Sequence, residues 1–412
     1  VHEGVFLEVI NHPKVRATIG ALKQHSYQEL SLEQRIELLT RVEGEVDPSL
    51  FDANEITAQT LESISVMREI QQRNGERGSN RYIISNCQSL EHLLQLYALI
   101  RLCGWSNPSL DIIPLFETVD DLRAAPDIMR ALYSNASYRA HLESRGMKQT
   151  VMLGFSDGTK DGGYFMANWG IYSAKEALSL LSTEFGISVA FFDGRGGPPA
   201  RGGGRTHEFY ASLGEQIQAD DIQLTVQGQT ISSNFGTLES SQYNLEQLLS
   251  SGIKNQLFAR GENNLSAEDR ETLETLAQVS YDAYVAFKNH ELFLPYLQEM
   301  TTLPYYAKTN IGSRPAKRGQ KKEFKFEDLR AIPFVGSWSQ LRQNVPGFYG
   351  VGYALESFKK NGDFDRVKRL YQNNAFFRTL IANSMMSLTK SQFELTSYMA
   401  KNERFGEFWS QI

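Results

Sequence analysis

Two short apolar runs, each feeding directly into a charged, glycine-rich segment, set the strongest limit on how this chain can fold. The first is VMLGF at residues 151–155, followed by SDGTKDGG; the second is ISVAFF at residues 187–192, followed by GRGGPPARGGG after Asp193. A helical stretch at residues 164–183 lies between them, so the spacing is that of a βαβ unit. Loops at the carboxyl ends of parallel strands are where α/β proteins bind ligands, which places both charged segments at one rim. The second segment carries Arg195 and Arg201 on a backbone that few side chains obstruct. Glycine lets main-chain N–H groups approach a ligand closely, and the arginine fork matches phosphate or carboxylate. The same composition also fits a flexible linker or an RNA-binding arginine-glycine tract. The strand ahead of it favours the anion reading, since linkers rarely follow buried strands.

The alternation extends in both directions. Residues 3–76 show helical periodicity, with Leu30, Ile36, Leu39, Leu61 and Ile64 among the apolar positions. RYIIS at 81–85 and LDIIPLFE at 110–117 read as strands around a helix at 90–102, and residues 222–226 offer a further strand. Helical pattern then dominates from 231 to 285 and again from 365 to 401. The expected organisation is packing helices at 1–76, strands and site loops at 81–340, and carboxyl-terminal helices at 341–412. The class is helix-rich α/β on a parallel sheet, open or closed into a barrel.

A formal net charge of -6 argues against a general nucleic-acid or membrane-surface partner and leaves small anions as the expected ligands. No apolar run approaches the length that spans a bilayer. Cys87 and Cys103 offer neither a disulfide framework nor zinc-ligand spacing, so reduced thiols and a cytoplasmic setting are expected. The basic segment GSRPAKRGQKKEFKFE at 312–327 reads as a solvated loop, with a nucleic-acid patch as the alternative.

Glu117 closes one apolar strand and Asp157 follows the next, so both carboxylates emerge at the same sheet edge. Magnesium takes one or two carboxylates and leaves water or substrate oxygens in its other positions, which suits such a pair. Taken singly, each acid also fits a helix cap or a surface ion pair. GFSDGTK around Lys160 does not match the phosphate-binding P-loop, which excludes that mode of ATP binding. No GxSxG nucleophile elbow and no metal-binding histidine spacing occur, and His207 reads as a helix-start residue.

PLFETVDDL (114–122), VMLGFSDGTKDGG (151–163), FFDGRGGPPARGGG (191–204), GSRPAKR (312–318) and LRAIPFVGSWSQ (329–340) occur in this order. Together they resemble the phosphoenolpyruvate carboxylase family, over nearly the whole chain and in the carboxyl-terminal part of a longer enzyme. The resemblance implies a (β/α)8 TIM-type barrel, here incomplete and with many added helices, a Mg2+ or Mn2+ requirement, and a homotetramer. It implies that Glu117 and Asp157 hold the metal and that Arg195 and Arg330, helped by Lys160, hold the substrate phosphate. Arg201 matches the mobile-loop arginine, and Arg314 a further active-site arginine. Lys390, in MSLTKSQFEL, matches a lysine that with Arg201 binds aspartate or malate as inhibitor; an ordinary exposed helix lysine is the alternative. The implied partners are phosphoenolpyruvate and bicarbonate, with no nucleic acid and no membrane. The implied reaction gives oxaloacetate and phosphate.

Departures from the family pattern carry further expectations. Asp193 stands where the family usually has histidine, which puts a carboxylate beside an anion site. Pro198 and Pro199 stiffen the arginine loop. Gln227 and Gln229 stand where glutamates are usual. The TAHPTE motif with its catalytic histidine, and the DIRQ-type strand with another phosphate arginine, occur nowhere in these residues. The chain alone is therefore expected to be inactive, with a non-catalytic anion-binding or assembly module as the alternative function.

Overall fold

The computed structural model describes residues 2–23, 25–218, 221–226, 229–257, 263–306, 308 and 325–412. It contains a five-stranded parallel sheet whose strands lie side by side in chain order: β1 (Arg81–Ile84), β2 (Asp111–Phe116), β3 (Lys148–Leu153), β4 (Ser188–Asp193) and β5 (Ile222–Leu224). β1 and β2 run parallel in the register Arg81 to Asp111 through Ile84 to Pro114. Helical crossovers join the strands: α1 (Leu90–Leu102), α2 (Val119–Ser134), then α3 (Phe155–Gly162) with α4 (Tyr164–Glu184), and α5 (Thr206–Ala211). Later in the chain come α6 (Ala267–Lys288), α7 (Ala331–Gln340) and α8 (Ala375–Leu388).

The chain divides into two compact units: residues 1–116, 124–152 and 177–191 form the first, and residues 117–123, 153–176 and 192–412 the second. It passes from the first to the second at the carboxyl ends of β2, β3 and β4. Every described candidate residue belongs to the second unit.

In the first unit, Leu39, Leu93, Leu99, Ile112, Ile113, Phe116 and Leu132 are buried, and a polar clamp sits inside the same core. Tyr138 donates to Gln149 Oε1 at 2.8 Å, and Gln149 Nε2 donates to the Ile112 carbonyl at 2.9 Å, so the interior polar groups of β3 are satisfied. Burial among Tyr97, Tyr138 and Arg145 pushes the His141 imidazole down to about 4, so it stays neutral at physiological pH. The second unit is held by an aromatic cluster in which Trp338 of α7 meets Tyr296 at 5.6 Å and Phe293 at 6.1 Å, and Phe287 of α6 stacks on Phe408.

One local expectation fails. Residues 156–163, read as a loop, begin instead in α3, which runs to Gly162. Two of its glycines serve close packing: a Cβ at Gly158 would stand 3.2 Å from the Glu117 carbonyl oxygen, and one at Gly162 would stand 2.4 Å from Val119 Cγ2. The basic segment falls almost wholly outside the described residues. No helix among the described residues is long and apolar enough to cross a membrane.

Candidate active site

Glu117 follows the last residue of β2 and is almost fully buried, at the start of a turn fixed by a reciprocal cap. Asp121 Oδ2 accepts from the Glu117 and Thr118 amides at 3.3 and 3.0 Å, while the Asp121 amide donates to Thr118 Oγ1 at 3.1 Å. That arrangement satisfies the orphan donors at the start of α2 and orients the backbone that carries Glu117. Asp121→Ala is expected to cost about 1 kcal/mol of stability, read as a shift in the urea midpoint at unchanged slope.

The second acid arrives on α3. Asp157 lies in its first turn, where a carboxylate is favoured by the helix dipole, and Gly158 brings that turn against the Glu117 carbonyl. Asp161, one turn on, accepts from the Val119 amide at 3.1 Å and from Lys288 Nζ at 3.3 Å, tying α3 to the α2 start and to α6. Lys160 places its Nζ 4.6 Å from the Phe326 ring centre, and its carbonyl accepts from Tyr284 at 2.7 Å. No group of three or more His, Cys, Asp or Glu among the described residues could hold a metal ion. The Gly158 contact brings together the backbone turns that carry Glu117 and Asp157, and two carboxylates are the kind of oxygen donor that Mg2+ or Mn2+ takes, whereas zinc sites are richer in Cys and His.

The arginine segment is an ordered, folded-in loop. Gly194 N–H donates to the Leu153 carbonyl at 3.0 Å, and the Asp193 carbonyl accepts from Thr225 at 3.1 Å, so the loop leaves the sheet between β3 and β5. Pro198 caps a 3-10 turn, Pro199–Arg201, that ends at Gly202 in the left-handed region with φ +77°. A Cβ at Gly203 would stand 1.8 Å from the Gly197 carbonyl, and one at Gly196 would stand 1.6 Å from the Thr225 carbonyl. A freely flexible linker would not need such contacts. Arg201 folds back over Gly197, where a Cβ would come within 2.8 Å of its Nη2, and burial lowers its pKa, with Tyr306 opposing. This turn packs against α3, α7 and α8.

Arg195 is 1% exposed. Its Nη1 donates to the Gly202 carbonyl at 2.8 Å, and its guanidinium carbon lies 4.0 Å from the Phe209 ring centre and 5.4 Å from that of Phe155. Nε and Nη2 are buried with no hydrogen-bond partner among the described residues. Desolvation pulls its pKa down, and the guanidinium nonetheless stays charged. The carboxylate at Asp193 is two positions from Arg195 and acts on its charge. It is fully buried beneath the loop, where Oδ2 takes Lys175 Nζ at 2.6 Å and the Tyr210 hydroxyl at 2.7 Å. Burial lowers the Lys175 pKa, and the charge and hydrogen bond of Asp193 oppose that shift.

Arg330 is half-buried at the N-cap position of α7, whose packing against α3 and the Pro199–Arg201 turn brings its backbone to the same neighbourhood. Lys390 is exposed beyond the end of α8, its amide bonded to the Ser387 carbonyl. Arg314 and Gln227 lie outside the described residues, as does the Gln229 side chain. Sequence reading missed Asp121, Asp161, Lys175 and Tyr210. The capping-box spacing Thr118 to Asp121 was a readable signal for the first.

The family profile described as phosphoenolpyruvate carboxylase matches residues 8–410. The chain belongs to the phosphoenolpyruvate carboxylase family. It is 33% identical over 96% of its length to the phosphoenolpyruvate carboxylase of Nitrosomonas eutropha, and covers 45% of that protein. Against the phosphoenolpyruvate carboxylase of Rhodothermus marinus it is 31% identical, covering 97% of this chain and 44% of the relative. The Corynebacterium glutamicum phosphoenolpyruvate carboxylase gives 32% over the same shares. The chain therefore spans less than half the length of the curated relatives it matches.

Proposed function

We propose that the protein takes part in the carboxylation of phosphoenolpyruvate by bicarbonate, giving oxaloacetate and inorganic phosphate. Membership of the family supports the reaction class. The observation that carries it to this site is the packing of the Pro199–Arg201 turn against α3 and α7, which gathers the elements bearing Asp157, Lys160, Arg201 and Arg330 beside the Glu117 turn. On this reading the five strands belong to a (β/α)8 barrel, the whole enzyme is a homotetramer, and aspartate or malate inhibits it through Lys390 and Arg201.

The chemistry follows from charge. Bicarbonate oxygen attacks phosphorus, the bond from phosphorus to the enol oxygen breaks, and carboxyphosphate and the enolate of pyruvate result. Carboxyphosphate then releases CO2, whose carbon the enolate captures. Arg195 and Arg330, helped by Lys160, neutralise the phosphoryl oxygens through all of this, and fixed donors in a dry site stabilise such charge far better than water does. Glu117 and Asp157 would hold Mg2+ or Mn2+, which when bound supplies positive charge opposite the developing enolate oxygen. The Arg201 turn keeps water from protonating the enolate before CO2 reacts.

The test is oxaloacetate formation, followed through its reduction to malate by NADH and malate dehydrogenase, by the full gene product with and without bicarbonate. Bicarbonate-dependent oxaloacetate is the expected result. Phosphoenolpyruvate binding without turnover would instead favour a non-catalytic module. The 412 residues assayed alone are expected to show no turnover, since the TAHPTE histidine implied by the resemblance is not among them.

A further inference from the structure

The buried ion pair beneath the arginine loop poses a problem of charge. Asp193 and Arg195 are two positions apart in one segment, both are essentially inaccessible to water, and the Asp193 charge acts on Arg195. A buried carboxylate without a counter-ion is costly and takes the nearest cation. Yet Arg195 makes no hydrogen bond to Asp193. Its Nη1 goes to the Gly202 carbonyl, and its Nε and Nη2 have no partner among the described residues. Asp193 Oδ2 is already taken by Lys175 from α4 and by Tyr210 from α5, whereas Oδ1 is buried with no hydrogen-bond partner and could accept a guanidinium. Phe209, next to Tyr210 on α5, stacks beneath the same guanidinium, so one short helix supplies both the ring and the hydroxyl.

We propose that Lys175 is a positioning residue whose task is to occupy the Asp193 carboxylate, so that the Arg195 guanidinium stays available to an anionic substrate. The inference rests on the reading of Arg195 as a phosphate-binding arginine. Lys175→Met would leave Asp193 a buried anion with no counter-ion and only the Tyr210 hydroxyl as donor, and Arg195 would turn to it. Removing both charges, in Lys175→Met with Asp193→Asn, takes away the competitor as well as its neutraliser and should return Arg195 to the substrate.

The experiment compares the KM for phosphoenolpyruvate, kcat and thermal unfolding of four versions of the full gene product: wild type, Arg195→Gln, Lys175→Met, and the double variant. Lys175→Met is expected to raise KM roughly tenfold to a hundredfold, the cost of losing one hydrogen bond to a charged group, with a smaller change in kcat. The double variant should return KM to within about threefold of wild type even if its melting temperature stays depressed. An unchanged KM in Arg195→Gln would overturn the phosphate reading itself. A raised KM there with an unchanged KM in Lys175→Met would overturn the positioning role alone, as would a double variant no better than Lys175→Met. Should Lys175→Met not accumulate as folded protein, Tyr210→Phe removes one of the two bonds to the same oxygen. It must then raise KM by about threefold to tenfold, and an unchanged value would overturn the proposal.

Discussion

Asp157→Asn in the full gene product is expected to lower turnover of phosphoenolpyruvate by at least about 100-fold, the upper end of what loss of a mere outer-shell partner costs at a metal site. Asparagine keeps the size and one oxygen but removes the charge, and with only a pair of carboxylates in the proposed donor set, half of the protein's anionic contribution goes with it. Asp157 sits in the first turn of α3, where its charge complements the helix dipole by only about 0.3–1 kcal/mol, so the fold should survive the change. The separating measurement is Mn2+ binding by electron paramagnetic resonance titration. Weakened Mn2+ affinity together with lost turnover fits a metal ligand, and lost turnover with unchanged Mn2+ affinity would remove Asp157 from that role. Glu117→Gln should behave alike, because the capped α2 start and the Gly158 contact hold the Glu117 backbone independently of the carboxylate.

The arginine loop gives the second large effect. Gly203→Ala or Gly196→Ala puts a methyl carbon where a backbone carbonyl oxygen already stands, at 1.8 or 1.6 Å, and neither partner is a flexible side-chain tip. The loop must open or β5 must move, at a cost of about 1–3 kcal/mol, and the proposed arginine positions are lost in either case. Gly252→Ala is the control: nothing lies within 4 Å of its Cβ and it sits inside a helix, so it should be neutral or stabilising by up to about 1 kcal/mol. Urea unfolding and the KM for phosphoenolpyruvate on the three variants check the contrast. Equal behaviour of Gly203→Ala and Gly252→Ala would mean that the loop is free to rearrange at no cost.

These two effects also mark how far the amino-acid order could be read. The strands were legible because continuous runs of branched and aromatic residues have no other stable home, and β1, β2, β4 and the helix at Leu90–Leu102 fall within a residue or two of the expected bounds. Helix α3 was not legible. Gly158 and Gly162 argue locally for a loop, and only the closeness of Glu117 and Val119, some forty positions earlier, explains why they belong in a helix. Glu117 and Asp157 stood out because each lies within four residues of the end of an apolar strand. The Lys175–Asp193 pair could not, since the lysine's partner lies 18 positions away on another element and an isolated lysine in a helix reads as a surface residue. The burial of Arg195 was equally hidden, because its cover comes from Phe209 in the helix after the loop.

The side-by-side order of the five strands bears on biosynthesis. Each strand finds its neighbour in the one translated just before it, so a nascent chain can add strands to a growing edge as they leave the ribosome, without holding an apolar strand unpaired until a distant partner emerges. The segments bearing Glu117, Asp157 and Arg195 are then delivered one after another as β2, β3 and β4 dock. Assembly of the candidate rim becomes a by-product of translation order.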